Sequence, residues 1–306
     1  MARASGCARG AVRRRRSVGR PYSECVPELP EVEITARLLD RAVKGARIES
    51  ALAPGINALK TYDPPLLALE GERVEGVRRR GKHLLVEVSG DLVLLIHLMS
   101  AGRLQLFDKR AGPRDRTSRL LVRLEDGREL RLREFGSKQA AWVKLLRSHE
   151  LPGEPALEKL GPEALPVPAD LEELLDEQRP LHALLRDQRT IAGIGRSWVD
   201  EILWSAMLSP FKRGSDLDED ERVRLARAIE QTLEGALEHY EKVVRIPIPD
   251  KLPMPLRVHR HEGEPCPRCE TTLKSVHFDD YVIAYCPHCQ TEGRVLKDRR
   301  LSRLLK

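Results

Sequence analysis

The chain has 306 residues, 53 of them basic and 47 acidic, for a net charge of +6. Seven arginines and one acid in residues 1–25 account for all of that charge, so the balanced remainder exerts no general pull on nucleic acid, and any such attraction must rest on local patches. The length suits about two domains, the longest apolar run (residues 92–99) is too short to span a bilayer, and the N-terminus lacks the apolar core of a secretion signal.

The arginine-rich residues 1–26 have three readings: an organellar transit peptide, a disordered basic arm, or upstream sequence translated ahead of a true start at Val26. The third is favoured, because it alone delivers a free Pro27 once the initiator residue is removed. The distinction is chemical. A proline inside a chain has an amide nitrogen with a delocalised lone pair, whereas a terminal proline is a nucleophilic secondary amine. Pro27 opens the run Pro27-Glu28-Leu29-Pro30-Glu31-Val32-Glu33.

A helix is expected over 30–42, with Pro30 in its first turn, Glu31 and Glu33 matching its dipole, and Val32, Leu38 and Leu39 facing inward. From about 47 to 145 the pattern becomes short apolar or alternating runs at 73–77, 84–88, 92–96, 120–124 and 129–132, separated by turn residues at 89–91 and 125–127. So many strands in one block predict a β-sandwich or barrel. Residues 148–169, rich in Pro, Gly and Glu, read as a linker. Helical spacing follows at 170–176, 180–187, 197–207 and 218–244, the last capped by Ser215 or Asp216. Between them, Gly193 and Gly195 precede an amphipathic helix, with Arg196 at its start. That arrangement allows backbone N–H groups and a cation to meet a phosphate, and it equally suits a tight turn between helices. A proline-rich connector occupies 246–256.

Cys266-Pro-Arg-Cys269 and Cys286-Pro-His-Cys289 form two Cys-x2-Cys knuckles with 16 residues between them. Four thiolates so spaced can close a tetrahedron around one Zn²⁺ and leave no position for water, which makes the site structural; a redox dithiol pair is the alternative. His259, Arg260, His261, Arg268, Lys274 and the tail residues Lys297, Arg299, Arg300, Arg303 and Lys306 supply cations near this module, either for nucleic acid or as a solvated basic face.

Together these residues resemble the formamidopyrimidine-DNA glycosylase / endonuclease VIII family of base-excision repair enzymes, closer to the formamidopyrimidine branch. The likeness runs from Pro27 to about Gln290. It is carried by the 27–33 run, Arg79-Arg80-Gly81-Lys82-His83-Leu84-Leu85, His97-Leu98, Arg133-Glu134-Phe135-Gly136, the 193–201 turn and the cysteine module. The resemblance implies an α+β multidomain fold. An N-terminal catalytic β-sandwich with flanking helices (27–147) precedes the linker, a helix–two-turn–helix domain (170–245), a connector with a four-cysteine zinc finger (246–292) and a basic tail (293–306).

The implied activity is that of a bifunctional DNA glycosylase and apurinic-site lyase. Pro27 attacks C1′ of the damaged nucleotide, Glu28 protonates the sugar ring oxygen, Glu31 supports it, and Lys82 reaches the phosphate or lesion. His97, Met99, Arg133, Phe135 and Arg196 contact DNA, while Cys266, Cys269, Cys286 and Cys289 hold zinc. The expected partner is double-stranded DNA with a damaged base or abasic site, bound by a cytoplasmic monomer, nucleoid-associated if the source is bacterial.

Four positions depart from the family pattern. Ser100 stands where a methionine wedge is usual, with Met99 one residue early. Glu134 replaces the second arginine of Arg-Arg-Phe-Gly. Arg196 replaces an asparagine that binds phosphate, and Tyr281 replaces the finger's phosphate-binding arginine, beside Asp279 and Asp280. The connector also lacks likeness to the family's lesion-recognition loop. Two rival readings stand beside the enzyme: a non-catalytic binder of damaged DNA, which gains if Pro27 remains an amide, and a zinc-ribbon scaffold, which leaves 27–33 unexplained.

Overall fold

A computed structural model describes residues 26–55, 57–112, 115–135, 139–278 and 281–296. The arginine-rich residues 1–25, Gly136, Asp279, Asp280 and the tail cations from Lys297 onward lie outside the described residues.

Helix α1 (Leu29–Val43) buries Leu29, Val32, Ile34, Ala36 and Leu39. Eight strands follow: β1 (Ile48–Leu52), β2 (Val74–Arg80), β3 (His83–Val88), β4 (Leu92–His97), β5 (Gly102–Phe107), β6 (Ser118–Leu124), β7 (Glu129–Glu134) and β8 (Trp142–Arg147). They form two four-stranded antiparallel sheets, ordered β1-β6-β7-β5 and β2-β3-β4-β8. In the second sheet Val77, Val86, Leu94 and Leu145 lie in register across all four strands and point into the main core. Its opposite face carries Leu85, Val93, Leu95 and Leu146, covered by Trp142, Leu151 and Leu157. Burial on both faces explains why β3 and β4 read as continuous apolar runs instead of alternating ones. The predicted strands at 84–88, 92–96, 120–124 and 129–132 fall within β3, β4, β6 and β7, and that at 73–77 overlaps β2 from Val74 onward. Strands β1, β5 and β8 were not singled out, because Glu49, Arg103, Gln105 and Lys144 break their apolar pattern.

Residues 148–169 carry structure of their own: a 3₁₀ turn (Ser148–Gly153), helix α2 (Pro155–Glu158) and Glu163, whose carboxylate accepts from Arg80 Nη1 at 2.8 Å and the Gly81 N–H at 2.7 Å and also pairs with Arg79. The helical part comprises α3 (Leu171–Leu175), α4 (Leu181–Arg186), α5 (Arg196–Ser205) and α6 (Glu219–Val243). Asp218, not Ser215 or Asp216, caps α6. Its carboxylate accepts from the Glu221 N–H at 2.8 Å while Glu221 accepts from the Asp218 N–H at 3.0 Å. Ser215 and Asp216 instead form a 3₁₀ turn one step earlier.

Helix α6 packs on α1 and α5, and one apolar cluster runs from the sandwich interior (Leu94, Ile96, Leu132) through α1 into α4, α5 and α6 (Leu184, Ile202, Leu233). The finger consists of β9 (Lys274–His277), β10 (Val282–Tyr285) and α7 (Pro287–Thr291), and it packs on Trp204 of α5. Among the described residues no helix is long and apolar enough to cross a membrane.

Candidate active site

The chain enters α1 through Pro27 and Glu28, both buried. The Glu28 carboxylate does not stay with its own helix. It crosses to the start of α5, accepting from the Ser197 N–H at 2.8 Å and the Trp198 N–H at 3.3 Å. Those N–H groups are the orphan donors of a helix N-terminus. The sequence left them open to a phosphate; in the fold a carboxylate of the same chain occupies them.

The glycine pair serves that junction. Leu29 N–H donates to the Gly193 carbonyl at 2.9 Å, and Gly193 has a φ of +106°, where a side chain is strained. A Cβ on Gly195 would stand 2.3 Å from Glu28 Cδ. Close approach of chain to chain is thus what both glycines supply.

One turn along α1, Glu31 is 4% exposed. Its carboxylate accepts from the Glu28 N–H at 2.9 Å, from Tyr240 Oη at 2.5 Å and from Trp198 Nε1 at 3.2 Å. Burial, reinforced by the nearby Glu28 charge, pushes its pKa up to about 7 despite those three donors. Lys82, at the turn between β2 and β3, is held below the ordinary lysine pKa by burial, with Arg186 and Arg196 pushing the same way and the Glu28 and Glu31 charges opposing them. Glu28, Glu31 and Lys82 therefore share one electrostatic environment, at the seam between sandwich and helical layers.

The other candidates lie further out. His97 ends β4, stacks on Trp142 (5.7 Å, 19°) and accepts the Met99 N–H at Nδ1, 2.9 Å away. Burial, then the charges of His83 and Lys82, lower its pKa to about 3, so it is neutral. Met99 is half-buried on the turn after β4, with φ +50°, and Ser100 beside it is exposed. Because this is a turn and not a strand, the one-residue offset between Met99 and Ser100 does not obey strand alternation. Arg133 on β7 lies over Phe135 (4.6 Å) and donates to Thr117 Oγ1, Gln105 Oε1 and Asp250 Oδ1 at 3.1–3.2 Å. Arg196 is exposed at the first position of α5.

The four cysteine sulfurs lie within 4.8 Å of one another, with Sγ–Sγ separations of 3.4 Å (Cys269–Cys286 and Cys269–Cys289) and 3.9 Å (Cys266–Cys289). Ligands about 2.3 Å from a tetrahedral Zn²⁺ stand about 3.8 Å apart, so the set fits the ion. A structural zinc belongs here.

Three family models match in chain order: the formamidopyrimidine-DNA glycosylase N-terminal domain over 26–137, its H2TH domain over 160–247, and the zinc finger found in FPG and IleRS over 263–291. The formamidopyrimidine-DNA glycosylase of Moorella thermoacetica is 34% identical over 266 residues, covering 82% of this chain and 94% of that protein. The chain belongs to the formamidopyrimidine-DNA glycosylase family. Among solved structures, the Lactococcus lactis Fpg in complex with abasic-site DNA superimposes with TM-score 0.76 at 25% identity, over 86% of this chain and 99% of that one. MutM in complex with DNA containing carbocyclic 8-oxo-G gives 0.75 at 27%, over 87% and 100%.

Against the formamidopyrimidine-DNA glycosylase pattern, the departures acquire physical roles. Glu134, 2% exposed, accepts the Ala140 and Ala141 N–H groups at 2.6 and 2.9 Å and sits 3.5 Å from Arg119, so it ties the end of β7 to the residues that lead into β8. Two expected finger cations are engaged within the protein, His259 buried and Arg268 from an exposed position. His259 is buried with Nδ1 2.7 Å from Asp200, and Arg268 donates to the Trp204 and Ser205 carbonyls. Sequence reasoning missed Trp198 and Tyr240, the partners of Glu31, and also Glu163 and Arg186. Nothing local marks them, since each acts on a residue far away in the chain.

Proposed function

We propose that this chain excises damaged, chiefly oxidised, bases from double-stranded DNA and then cleaves the strand, using the amine of a Pro27 that has become N-terminal. The secondary amine attacks C1′, and the base departs with the glycosidic electron pair. Glu28 takes the proton of the resulting ammonium adduct and passes it to O4′ as the C1′–O4′ bond breaks, leaving an iminium at C1′. That iminium is cationic without protonation and acidifies C2′–H, so loss of the C2′ proton expels the 3′ phosphate, and δ-elimination follows. Glu31 supports Glu28, and Lys82 holds the lesion phosphate. Met99 fills the gap left by the flipped nucleotide, on a turn positioned by His97, and Arg133 and Phe135 address the opposite strand. Residues 27–147 carry the chemistry, and 170–245 with the finger in 246–292 grip the duplex. The chain acts as a monomer on cytoplasmic DNA.

The observation that carries the reading is the junction of residue 27 with a carboxylate pinned across the domain seam: Glu28 held by the Ser197 and Trp198 N–H groups, with Lys82 and Glu31 in the same field. Borohydride trapping on an abasic-site duplex tests it. A form beginning at Pro27 should give a covalent adduct. The 306-residue chain, in which that nitrogen is an amide, should give none, as should Pro27→Gly with its amine acetylated. Equal trapping by the 306-residue chain would eliminate Pro27 and point to a lysine such as Lys82. A chain that binds abasic DNA but never traps, even when begun at Pro27, would be the non-catalytic binder.

A further inference from the structure

Helix α4 presents His182 and Arg186, four residues apart, to the ring of Tyr281. The His182 ring lies parallel to it (5.9 Å, 6°), and the Arg186 guanidinium stands 4.2 Å from its centroid. Phe278 stacks on the same residue at 4.4 Å and 4°. From α5, Arg196 adds a second guanidinium at 5.1 Å. Tyr281 thus gathers two arginines from two helices onto a finger residue. Arg186 Nη1 is buried and has no hydrogen-bond partner among the described residues, an arrangement that costs free energy until an acceptor arrives. Both arginines repel Lys82. Glu28 and Glu31, the carboxylates whose charges act on Lys82, also accept from backbone and side-chain donors. Arg186 and Arg196 therefore share the electrostatic field of Lys82.

We propose that Arg186, stacked on Tyr281, completes with Arg196 and Lys82 a seat for a DNA phosphodiester. The finger supplies a ring, and the helical layer (Arg186, Arg196) and the β2–β3 turn (Lys82) supply the charge. The inference rests on the glycosylase reading but concerns binding alone, so it is tested without chemistry.

Binding of the 306-residue, zinc-loaded chain to a duplex with a tetrahydrofuran abasic analogue is measured by fluorescence anisotropy across salt concentrations. Arg186→Leu is expected to weaken binding roughly tenfold and to make the log–log salt slope shallower by about 0.9, one phosphate contact. Tyr281→Leu exchanges neutral for neutral, yet it should reproduce most of that slope change because Arg186 loses its platform. Tyr281→Phe keeps the ring and should restore the wild-type slope. The double variant Arg186→Leu/Tyr281→Leu should lose little more than either single one.

An unchanged slope for Arg186→Leu, or for a Tyr281→Leu chain that retains its zinc, overturns the proposal. If Tyr281→Leu sheds zinc, Arg186→Leu and Tyr281→Phe still decide. A wild-type chain with no affinity for the duplex overturns both this and the parent reading, whereas tight wild-type binding with an indifferent Arg186→Leu overturns this one alone.

Discussion

Glu31 shows how far a side chain's chemistry is set by what folds over it. In sequence it is one of three acids at a helix start, where dipole matching suffices to explain it. In the fold Trp198 and Tyr240 close over it, and burial first, then the Glu28 charge, carries its pKa up to about 7. For a carboxyl raised in this way, the stabilising contribution is fully present below about pH 4.5 and is lost as pH rises through about 7. Thermal unfolding of wild type and Glu31→Gln between pH 5 and 8 should therefore diverge. Wild type should lose about 1–3 kcal/mol relative to the amide variant over that window. Parallel curves would mean that Glu31 titrates as an ordinary surface acid.

At the scale of elements, the seam between α1 and α5 is the part most sensitive to small changes. A methyl group at Gly195 would stand 2.3 Å from Glu28 Cδ, so Gly195→Ala must push the carboxylate off the Ser197 and Trp198 N–H groups or separate the helices. We expect at least a hundredfold loss in single-turnover excision and about 1–3 kcal/mol of stability. Gly235 in α6 is the control, since a Cβ there meets nothing within 4 Å. Gly235→Ala should leave excision unchanged and add about 0.5–1 kcal/mol in a thermal melt. A Gly195→Ala enzyme as active as the control would show that Glu28 needs no fixed seat. The cap of α6 carries a related lesson. Ser215, Asp216 and Asp218 are all acceptable caps by type, and the choice fell to Asp218 because Glu221, three residues on, reciprocates.

Across the whole molecule, two neighbouring acids of α5 bind the finger to the helical layer. Asp200 meets His259 Nδ1 at 2.7 Å and accepts the Ala284 N–H at 3.0 Å, while Glu201 accepts the Arg257, Val258 and His259 N–H groups at 2.9–3.0 Å. Trp204 Nε1 lies 3.3 Å from Cys266 Sγ. A module this small depends on its metal, with zinc contributing about 10–16 kcal/mol in peptide analogues. Elemental analysis should find one zinc per chain. Chelation or Cys266→Ser should unfold the finger, change Trp204 fluorescence and weaken duplex binding at least tenfold, while the sandwich keeps its own melting transition. Loss of the sandwich together with the finger would mean that the continuous apolar core transmits the damage.

What could be read from the chain alone was whatever covalent spacing encodes. Cysteine pairs with two residues between them on each knuckle, apolar runs of strand length and acids behind a proline are local facts, and fold class and zinc follow from them. Partnership across long separations was not encoded locally. Glu28 meets Ser197 across 169 residues and Glu31 meets Tyr240 across 209. The same packing decided that the glycine turn receives a carboxylate, that His259 is buried against Asp200, that Arg268 reaches the Trp204 and Ser205 carbonyls and that Arg186 stands beside Tyr281. Desolvation and charge–charge energies depend on distances that only the packed layers set, and on those distances the same residue types change role.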